Sequence, residues 1–164
     1  MWTIIKINQK KFSELKKTFQ RKIGESTIFF SPKIKIQKKI KNKVIYKDIN
    51  LLGNYVLCYN EKLSDNNNLI NLKSTIGLEY FLNGFKNCQK QIINFIDRCK
   101  KYEQNGYLTQ NFFEVNNCED YKFLSGPFTK FLFKITEIKK NSYLINLNNI
   151  RVKCSKNILF LKAN

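Results

Sequence analysis

The sequence predicts an α+β domain followed by a small β-barrel, and three observations lead to that fold class. Apolar residues recur at helical spacing in two segments, near 12–23 and 88–103. Short apolar runs typical of strands surround these two helical segments. After residue 119 the pattern changes to short strands separated by turn residues, without a helical stretch. With 43% hydrophobic residues, the 164-residue chain can build a core for each part.

The N-terminal segment predicts a strand followed by an amphipathic helix. Residues 2–7 read as a buried strand, and Asn8 can cap the helix that follows. Gly24 is a suitable residue for the end of that helix. One apolar stripe of the helix is formed by Phe12, Leu15, Phe19 and Ile23.

Four further strands are expected before residue 60, two of them in a hairpin. Residues 28–32 form a strand that ends at Pro32. Residues 33–47 alternate lysine with Ile or Val, which predicts a β-hairpin with Asn42 near its tip. Residues 54–59 are almost continuously apolar, so we expect a central strand there.

The second half of the first domain is expected to hold a loop, a turn and a helix. Residues 65–68 read as a loop, and residues 76–82 as a short turn or helix that ends near Gly84. A clearer helix covers about 88–103. Its core-facing stripe is formed by Cys88, Ile92, Phe95, Ile96 and Cys99.

The predicted domains are residues 1–104, a linker at 105–118, and a barrel at 119–164. The linker carries almost no charge, and Asn105-Gly106 marks a turn in it. Five short strands in a segment of this size, separated by turns, predict a small SH3-like β-barrel. These strands are expected near 121–125, 130–138, 142–147, 150–154 and 158–161.

The charge of the chain favours polyanionic partners. Thirty Lys and Arg stand against 12 Asp and Glu, for a net charge of +18. Fourteen of the cations lie in the first 50 residues, so the positive field is concentrated there. The alternative interpretation is a solvated lysine surface without a partner.

Several classes of function are disfavoured by the composition. The chain has no histidine, which removes imidazole catalysis and histidine-containing zinc sites. Its five cysteines form no CxxC pair, and their odd number favours a reducing compartment. No export signal and no apolar stretch of about 20 residues is seen. We therefore expect a soluble cytoplasmic protein that is not an enzyme, with no cofactor, no metal and no membrane partner.

Five segments, in chain order, resemble the motifs of NusG-type transcription factors. They are Trp2-Thr3-Ile4-Ile5-Lys6, Phe30-Ser31-Pro32-Lys33, Leu51-Leu52-Gly53-Asn54-Tyr55-Val56-Leu57, Ser74 to Leu82, and Tyr121 to Phe128. The resemblance covers nearly the whole chain. It implies an N-terminal NGN-like α/β sandwich and a C-terminal KOW barrel, in a transcription elongation factor.

Within that family, the C-terminal sequence is similar to the specialised RfaH-like antitermination factors. The similar segments are 144–147 and 150–157, and Asn54-Tyr55 agrees with that subgroup. Two features depart from the family pattern. Gly53 replaces the usual proline, and residues 68–70 (Asn-Leu-Ile) stand where RfaH has the His-Thr-Thr stretch that contacts the polymerase gate loop.

The resemblance implies an N-terminal domain that binds the clamp helices of RNA polymerase through an apolar patch. Holding the clamp closed would suppress pausing by a shift of population, without catalysis. The positions that match the patch are Leu52, Tyr55, Leu57 and Phe81. The alternative is that all four belong to the core, and Tyr55 is our first candidate for a surface contact.

The resemblance also implies contact of the basic helix with upstream or non-template DNA. The candidate residues are Lys10, Lys11, Lys16, Lys17 and Arg21. Lysine favours phosphate contacts over base recognition. The lysine-rich hairpin at 33–43 is a second candidate, and its alternative role is to protect a sheet edge.

The barrel is expected to recruit a partner, which in this family is a ribosomal protein or a termination factor. Leu144, Ile145 and Leu147 are the candidates for an exposed apolar strand. The β-branched, turn-punctuated sequence favours a barrel over the helical hairpin that RfaH forms. The alternative function for the whole chain is a ribosome-associated or RNA-binding KOW protein.

Overall fold

The computed structural model describes residues 1–40, 43–113, 115–116, 119–124, 128, 131–156 and 158–163, without the side chains of residues 37–40 and 44. The chain is a mixed helix-and-sheet protein, as predicted. It divides into two compact units. The first contains Met1–Pro32 and Asn50–Arg98, and the second contains Lys33–Ile49 and Cys99–Asn164. The domain boundaries expected from the sequence, at residues 104 and 118, stay a prediction.

The elements are named here in chain order. The strands are β1 (Trp2–Ile7), β2 (Ile28–Phe30), β3 (Lys33–Ile40), β4 (Lys43–Asn50), β5 (Tyr55–Tyr59), β6 (Leu78–Phe81), β7 (Glu103–Gln104), β8 (Tyr107–Leu108), β9 (Asp120–Phe123), β10 (Leu132–Ile138), β11 (Ser142–Leu147), β12 (Ile150–Ser155) and β13 (Phe160–Lys162). The helices are α1 (Phe12–Ile23), α2 (Asn66–Lys73) and α3 (Gln89–Tyr102). Short 3₁₀ turns cover Gln9–Lys11, Glu61–Ser64, Phe85–Cys88 and Gln110–Phe112.

The first unit is built on an antiparallel sheet with the strand order β2-β5-β1-β6. Strand β5 lies inside the sheet, which confirms the central strand expected at 54–59. Its Val56, Leu57 and Cys58 are buried, because both faces of the sheet are covered at this point. The continuous apolar run of β5 therefore reflects burial on two sides.

Helix α1 packs its predicted stripe against one face of this sheet. Leu15, Phe19 and Ile23 are buried and Phe12 is partly buried, in one core with residues of β1, β5 and α2. The side-chain oxygen of Asn8 accepts the N–H of Lys10, and the 3₁₀ turn at Gln9–Lys11 leads into the helix. The predicted stripe is thus present, whereas Asn8 caps the 3₁₀ turn and α1 itself begins after Lys11 without a side-chain cap.

The opposite face of the sheet is partly covered by the turn at Phe85–Cys88 and the first turns of α3. A second core joins Leu57 to Phe85, Ile92 and Ile96. Gln89 anchors this layer, since its amide accepts the N–H of Trp2 at 3.0 Å and donates to the Trp2 carbonyl at 2.8 Å. The side chain of Gln89 thereby satisfies backbone groups of Trp2 on the side of β1 where β6 does not extend beside it.

Three local expectations were wrong. Residues 66–73 form helix α2 instead of a loop, because Asp65 caps it through the N–H of Asn67 and its Leu72 is buried. Residues 78–81 form strand β6 and not a turn or helix, since they pair with β1. Cys88 is exposed, because it lies in the turn that precedes α3 and not on the buried stripe of the helix.

The second unit contains a five-stranded antiparallel sheet with the order β12-β11-β10-β9-β13. All five strands lie where the sequence predicts them. The last strand, β13, returns to pair with the first, β9, and so lies at one edge of the sheet. The closed SH3-like barrel stays a prediction. The core side chains of this sheet are Tyr121, Phe123, Phe133, Ile135, Tyr143, Ile145, Cys154 and Phe160.

Two further strand pairs belong to the second unit. Strands β3 and β4 form the predicted hairpin pair, whose predicted tip at Asn42 lies outside the described residues. Strands β7 and β8 pair around Asn105-Gly106, where both residues have positive φ as the turn requires. After β8, the buried Gln110 accepts the N–H of Phe160 at 3.1 Å. This bond ties part of the expected linker to β13.

Candidate partner-binding groove and basic surface

The face of the first sheet opposite α1 carries an apolar groove. Strand register decides which side chains reach it: Tyr55 pairs with Lys6 and Leu57 pairs with Ile4, so these four share one face. The groove runs between this face and α3 and has a volume of about 520 Å³. Its lining residues are Ile4, Leu52, Tyr55, Leu57, Leu82, Cys88, Gln91, Ile92 and Phe95.

Three of the four residues predicted to bind RNA polymerase therefore lie together. Leu57 forms the floor of the groove and is 2% exposed. Leu52 and Tyr55 are half-buried, so each presents part of its surface to solvent while its base packs on the protein. Side chains of this kind can contact a partner without a large change of their own conformation.

Phe81, the fourth predicted residue, points to the other face of the sheet. It pairs with Ile5, whose side chain is fully buried beneath α1. The ring of Phe81 lies 6.4 Å from that of Phe19 in the core. Phe81 therefore supports the groove from behind and does not line it.

Sequence reasoning missed Tyr80 and Leu82, which take the place that Phe81 was expected to hold. Tyr80 pairs with Lys6, and Leu82 donates its N–H to the carbonyl of Ile4, so both share the face of Tyr55. They are 42% and 38% exposed. Strand alternation could have found them had 78–82 been recognised as a strand.

A polar cluster borders the groove beside Tyr55. The hydroxyl oxygens of Tyr55 and Tyr80 lie 2.8 Å apart, and the Lys6 ammonium forms a 3.1 Å ion pair with Glu79. The Lys6 nitrogen also lies 5.4 Å from the centre of the Tyr80 ring. The hydrogen bond with Tyr55 raises the pKa of Tyr80, and Glu79 raises the pKa of Lys6. The cluster thus places a pair of hydroxyl groups and an ion pair side by side at the border of the groove.

The basic residues of the first helix divide into two groups. Lys10, Lys11, Lys17 and Arg21 are exposed. Lys16 is half-buried, because its ammonium lies 4.5 Å from the centre of the Phe12 ring and packs over it. The exposed four are available to a polyanion, whereas Lys16 contributes to the packing of α1.

The start of this basic segment is held close to the loop before β6. Asn8 donates its N–H to the carbonyl of Gly77 at 2.9 Å. A Cβ atom at position 77 would lie 2.9 Å from the carbonyl oxygen of Lys11, so only glycine fits there without a shift. Gly77 also has a φ of +91°, which side chains rarely adopt.

The three residues predicted to recruit a partner in the C-terminal region do not share one face of β11. Ile145 is 2% exposed and belongs to the core, and Leu147 packs against that core. Leu144 points the other way and is half-buried. In this fold Leu144 is therefore the one of the three whose side chain faces outward from the sheet.

Two further properties concern metal ligation and membrane crossing. In the part of the chain that the structure describes, no three potential metal ligands among His, Cys, Asp and Glu come together. No helix there is long and apolar enough to cross a membrane.

Comparison with known proteins gives similarity to solved structures alone. No protein-family profile matches the chain, and no curated protein matches it. One similar structure is the MjSpt4:Spt5 complex in conformation B, with 10% identity, coverage of 100% of this chain and 99% of that one, and a TM-score of 0.32. Another, on domain interaction in Thermotoga maritima NusG, has 14% identity, coverage of 99% and 97%, and a TM-score of 0.35. We therefore base the function on this chain's own residues.

Proposed function

We propose that the protein is a NusG-type transcription elongation factor that binds RNA polymerase through the groove of its first unit. In this proposal the groove binds the clamp helices of the polymerase, and this binding suppresses pausing. It also includes a cytoplasmic location and recruitment of a second partner through the C-terminal sheet. Membership of the RfaH-like antitermination subgroup is the finer form of the same proposal.

The observation that carries the proposal is the shared position of Leu52, Tyr55 and Leu57. The sequence resemblance selects these residues without knowledge of the fold, and all three line one apolar groove. An apolar groove between a sheet and a helix suits the apolar face of a partner helix. A half-buried tyrosine at its border is a typical anchor of such an interface.

The mechanism needs binding energy and no catalytic group. A factor that binds the closed form of a clamp more tightly than the open form raises the population of the closed form. The ratio of its affinities for the two forms sets the largest shift in that equilibrium, and pausing falls as the closed form becomes more populated. The chain's part is to present a preformed groove, whose floor at Leu57 and Ile92 is already buried.

The exposed cations of α1 and of the 3₁₀ turn before it add a DNA contact to the proposal. Helix α1 covers the sheet face opposite the groove, so one unit can contact two partners on different sides. Lys10, Lys11, Lys17 and Arg21 would approach the phosphates of upstream or non-template DNA. Such contacts should make DNA affinity fall steeply with salt and depend little on sequence.

A pull-down of purified bacterial RNA polymerase tests the proposal. Tyr55→Ala removes the anchor, and Leu82→Asp places a charge in the groove. Loss of an interface anchor should weaken binding by about 2 kcal/mol, or about 30-fold. Ile76→Asp is the matched control, because Ile76 is 53% exposed in the loop before β6 and does not line the groove. Circular dichroism checks that each variant is folded.

The exposed Cys88 offers a second readout in the same experiment. It lines the groove, so a photocrosslinker attached to it should label the polymerase subunit that carries the clamp helices. Equal retention of polymerase by wild type, Tyr55→Ala and Leu82→Asp would contradict the proposal. Absence of polymerase binding together with RNA binding would favour the alternative, a ribosome-associated or RNA-binding KOW protein.

A further inference from the structure

Two tyrosines and a lysine form a cluster in the second unit that the proposed function does not use. The ammonium nitrogen of Lys35, on β3, lies 5.4 Å from the centre of the Tyr46 ring on β4. The same nitrogen lies 5.1 Å from the centre of the Tyr107 ring on β8. Tyr46 is 61% exposed, so much of its ring is open to solvent.

A cavity of about 340 Å³ opens beside this cluster. Lys35 and Tyr107 form one part of its lining, and Lys156 forms another. Polar groups of Gln104, Asn105 and Thr109 also line it. No acidic side chain occurs among the described residues that line the cavity. Its size lies at the lower end of the range of small-ligand pockets.

The surroundings of the cluster are positively charged. Lys33, Lys35, Lys43 and Lys47 are exposed on the hairpin. The acidic residue of the hairpin, Asp48, accepts a 2.9 Å hydrogen bond from the Tyr107 hydroxyl. That bond orients the ring of Tyr107 and raises the pKa of its hydroxyl, which therefore stays neutral at physiological pH.

We infer that this surface of the second unit binds single-stranded nucleic acid. Aromatic rings set among lysines in a positive groove combine base stacking with attraction for the phosphates. The bases of a duplex are stacked on each other, so they cannot stack on Tyr46 or enter a cavity beside it. The surface would therefore prefer a single strand over a duplex, with Tyr46 as the stacking platform and Lys35 and Lys156 as phosphate contacts.

The lysines could instead only protect the hairpin edge from pairing with another chain. That role requires charge but not an exposed ring. The two explanations therefore differ in what removal of the ring at position 46 does. Because Tyr46 is largely exposed, its replacement should leave the fold intact.

Fluorescence anisotropy with labelled oligonucleotides tests the inference on the full chain. The probes are a 12-nucleotide oligo-U RNA, oligo-dT DNA and a 12-base-pair duplex, at several salt concentrations. We expect Tyr46→Ala to weaken binding to single strands about five-fold or more, whereas Tyr46→Phe stays within two-fold of wild type. We expect Lys35→Gln to lower the slope of log affinity against log salt by about 0.7, and the exposed control Lys90→Gln to leave single-strand affinity within two-fold.

The outcomes decide the inference in either direction. It is overturned if wild type does not bind single strands at low salt, or if Tyr46→Ala binds as wild type does. Equal losses of single-strand affinity in Tyr46→Ala and Tyr46→Phe would also overturn it, because the aromatic ring would then not be the binding element. Comparison of the oligo-U and oligo-dT arms tells whether RNA or DNA is preferred. The assay contains no polymerase, so its result is independent of the groove proposal.

Discussion

The hydroxyl groups of Tyr55 and Tyr80 share a 2.8 Å hydrogen bond across the border of the groove. Their strands are not neighbours in the sheet, since β1 lies between β5 and β6. Lys6 of β1 pairs with both residues, so the two rings meet across it. Their centroids are 6.4 Å apart and their planes form an angle of 70°. The pair therefore joins three strands on the surface that we propose to contact polymerase.

The hydrogen bond of this pair can be tested by titration. Because Tyr55 is the largest cause of the raised pKa of Tyr80, Tyr55→Phe should return that pKa towards its ordinary value of 10.0. The measurement is an NMR titration of ring-labelled tyrosine, with Tyr80→Phe to assign the signal. An unchanged pKa of Tyr80 in Tyr55→Phe would show that this hydrogen bond is not the cause of the raised pKa.

The same shift has a consequence for stability at high pH. A tyrosine whose pKa is raised by folding stabilises the protein fully below its unfolded pKa. That contribution is lost as the pH rises through the folded pKa. Stability should therefore fall above about pH 10 more steeply in wild type than in Tyr80→Phe, as urea unfolding at a series of pH values would show.

Gly77→Ala should destabilise the first unit more than Gly53→Ala does. Both glycines have positive φ, at +91° and +60°. A Cβ at position 77 meets the Lys11 carbonyl at 2.9 Å, whereas nothing lies within 4 Å of a Cβ at position 53. We expect a loss of about 2–3 kcal/mol for Gly77→Ala and about 1 kcal/mol for Gly53→Ala in urea unfolding. Equal losses would show that the close approach has no energetic role.

Asn60→Ala should also destabilise the first unit, by about 2 kcal/mol. Asn60 is 2% exposed, and its amide donates to the Thr27 hydroxyl at 3.0 Å and the Ile23 carbonyl at 3.3 Å. Removal of the amide leaves these buried acceptors without that donor at the end of α1. Asn67→Ala is the control, since Asn67 is exposed and its loss should cost less than about 1 kcal/mol. Thermal unfolding of both variants measures the difference.

The cysteines should differ sharply in reactivity towards a thiol reagent. Burial raises the pKa of Cys58 to about 12, so almost none of it is thiolate at pH 8. Cys99 and Cys154 are buried as well, and Cys88 is exposed. In a Cys118→Ser variant, we expect one thiol to react rapidly with DTNB and three to react only after unfolding. Absence of the rapid thiol in Cys88→Ser, Cys118→Ser would assign it, and two or more rapid thiols in the folded Cys118→Ser variant would contradict this arrangement.

Helices α1 and α3 and most strands could be predicted because their local patterns are strong. The spacing of Leu15, Phe19 and Ile23 identifies α1 and its buried face without further information. Helix α2 escaped prediction because its Asn-rich sequence has low helix propensity and a weak apolar pattern. What stabilises it is the packing of Leu72 in the core, which no local pattern reveals.

The sequence by itself determined where α1, α3 and most strands form, where positive charge accumulates, and that Leu52, Tyr55 and Leu57 belong together. Only the tertiary structure decided that Tyr80 and Leu82 face the groove while Phe81 faces the core. The physical reason is register: side chains alternate across a strand, so a shift of one residue exchanges the two faces. Pairing with β1 sets that register for β6, and the pairing depends on residues more than 70 positions away in the chain.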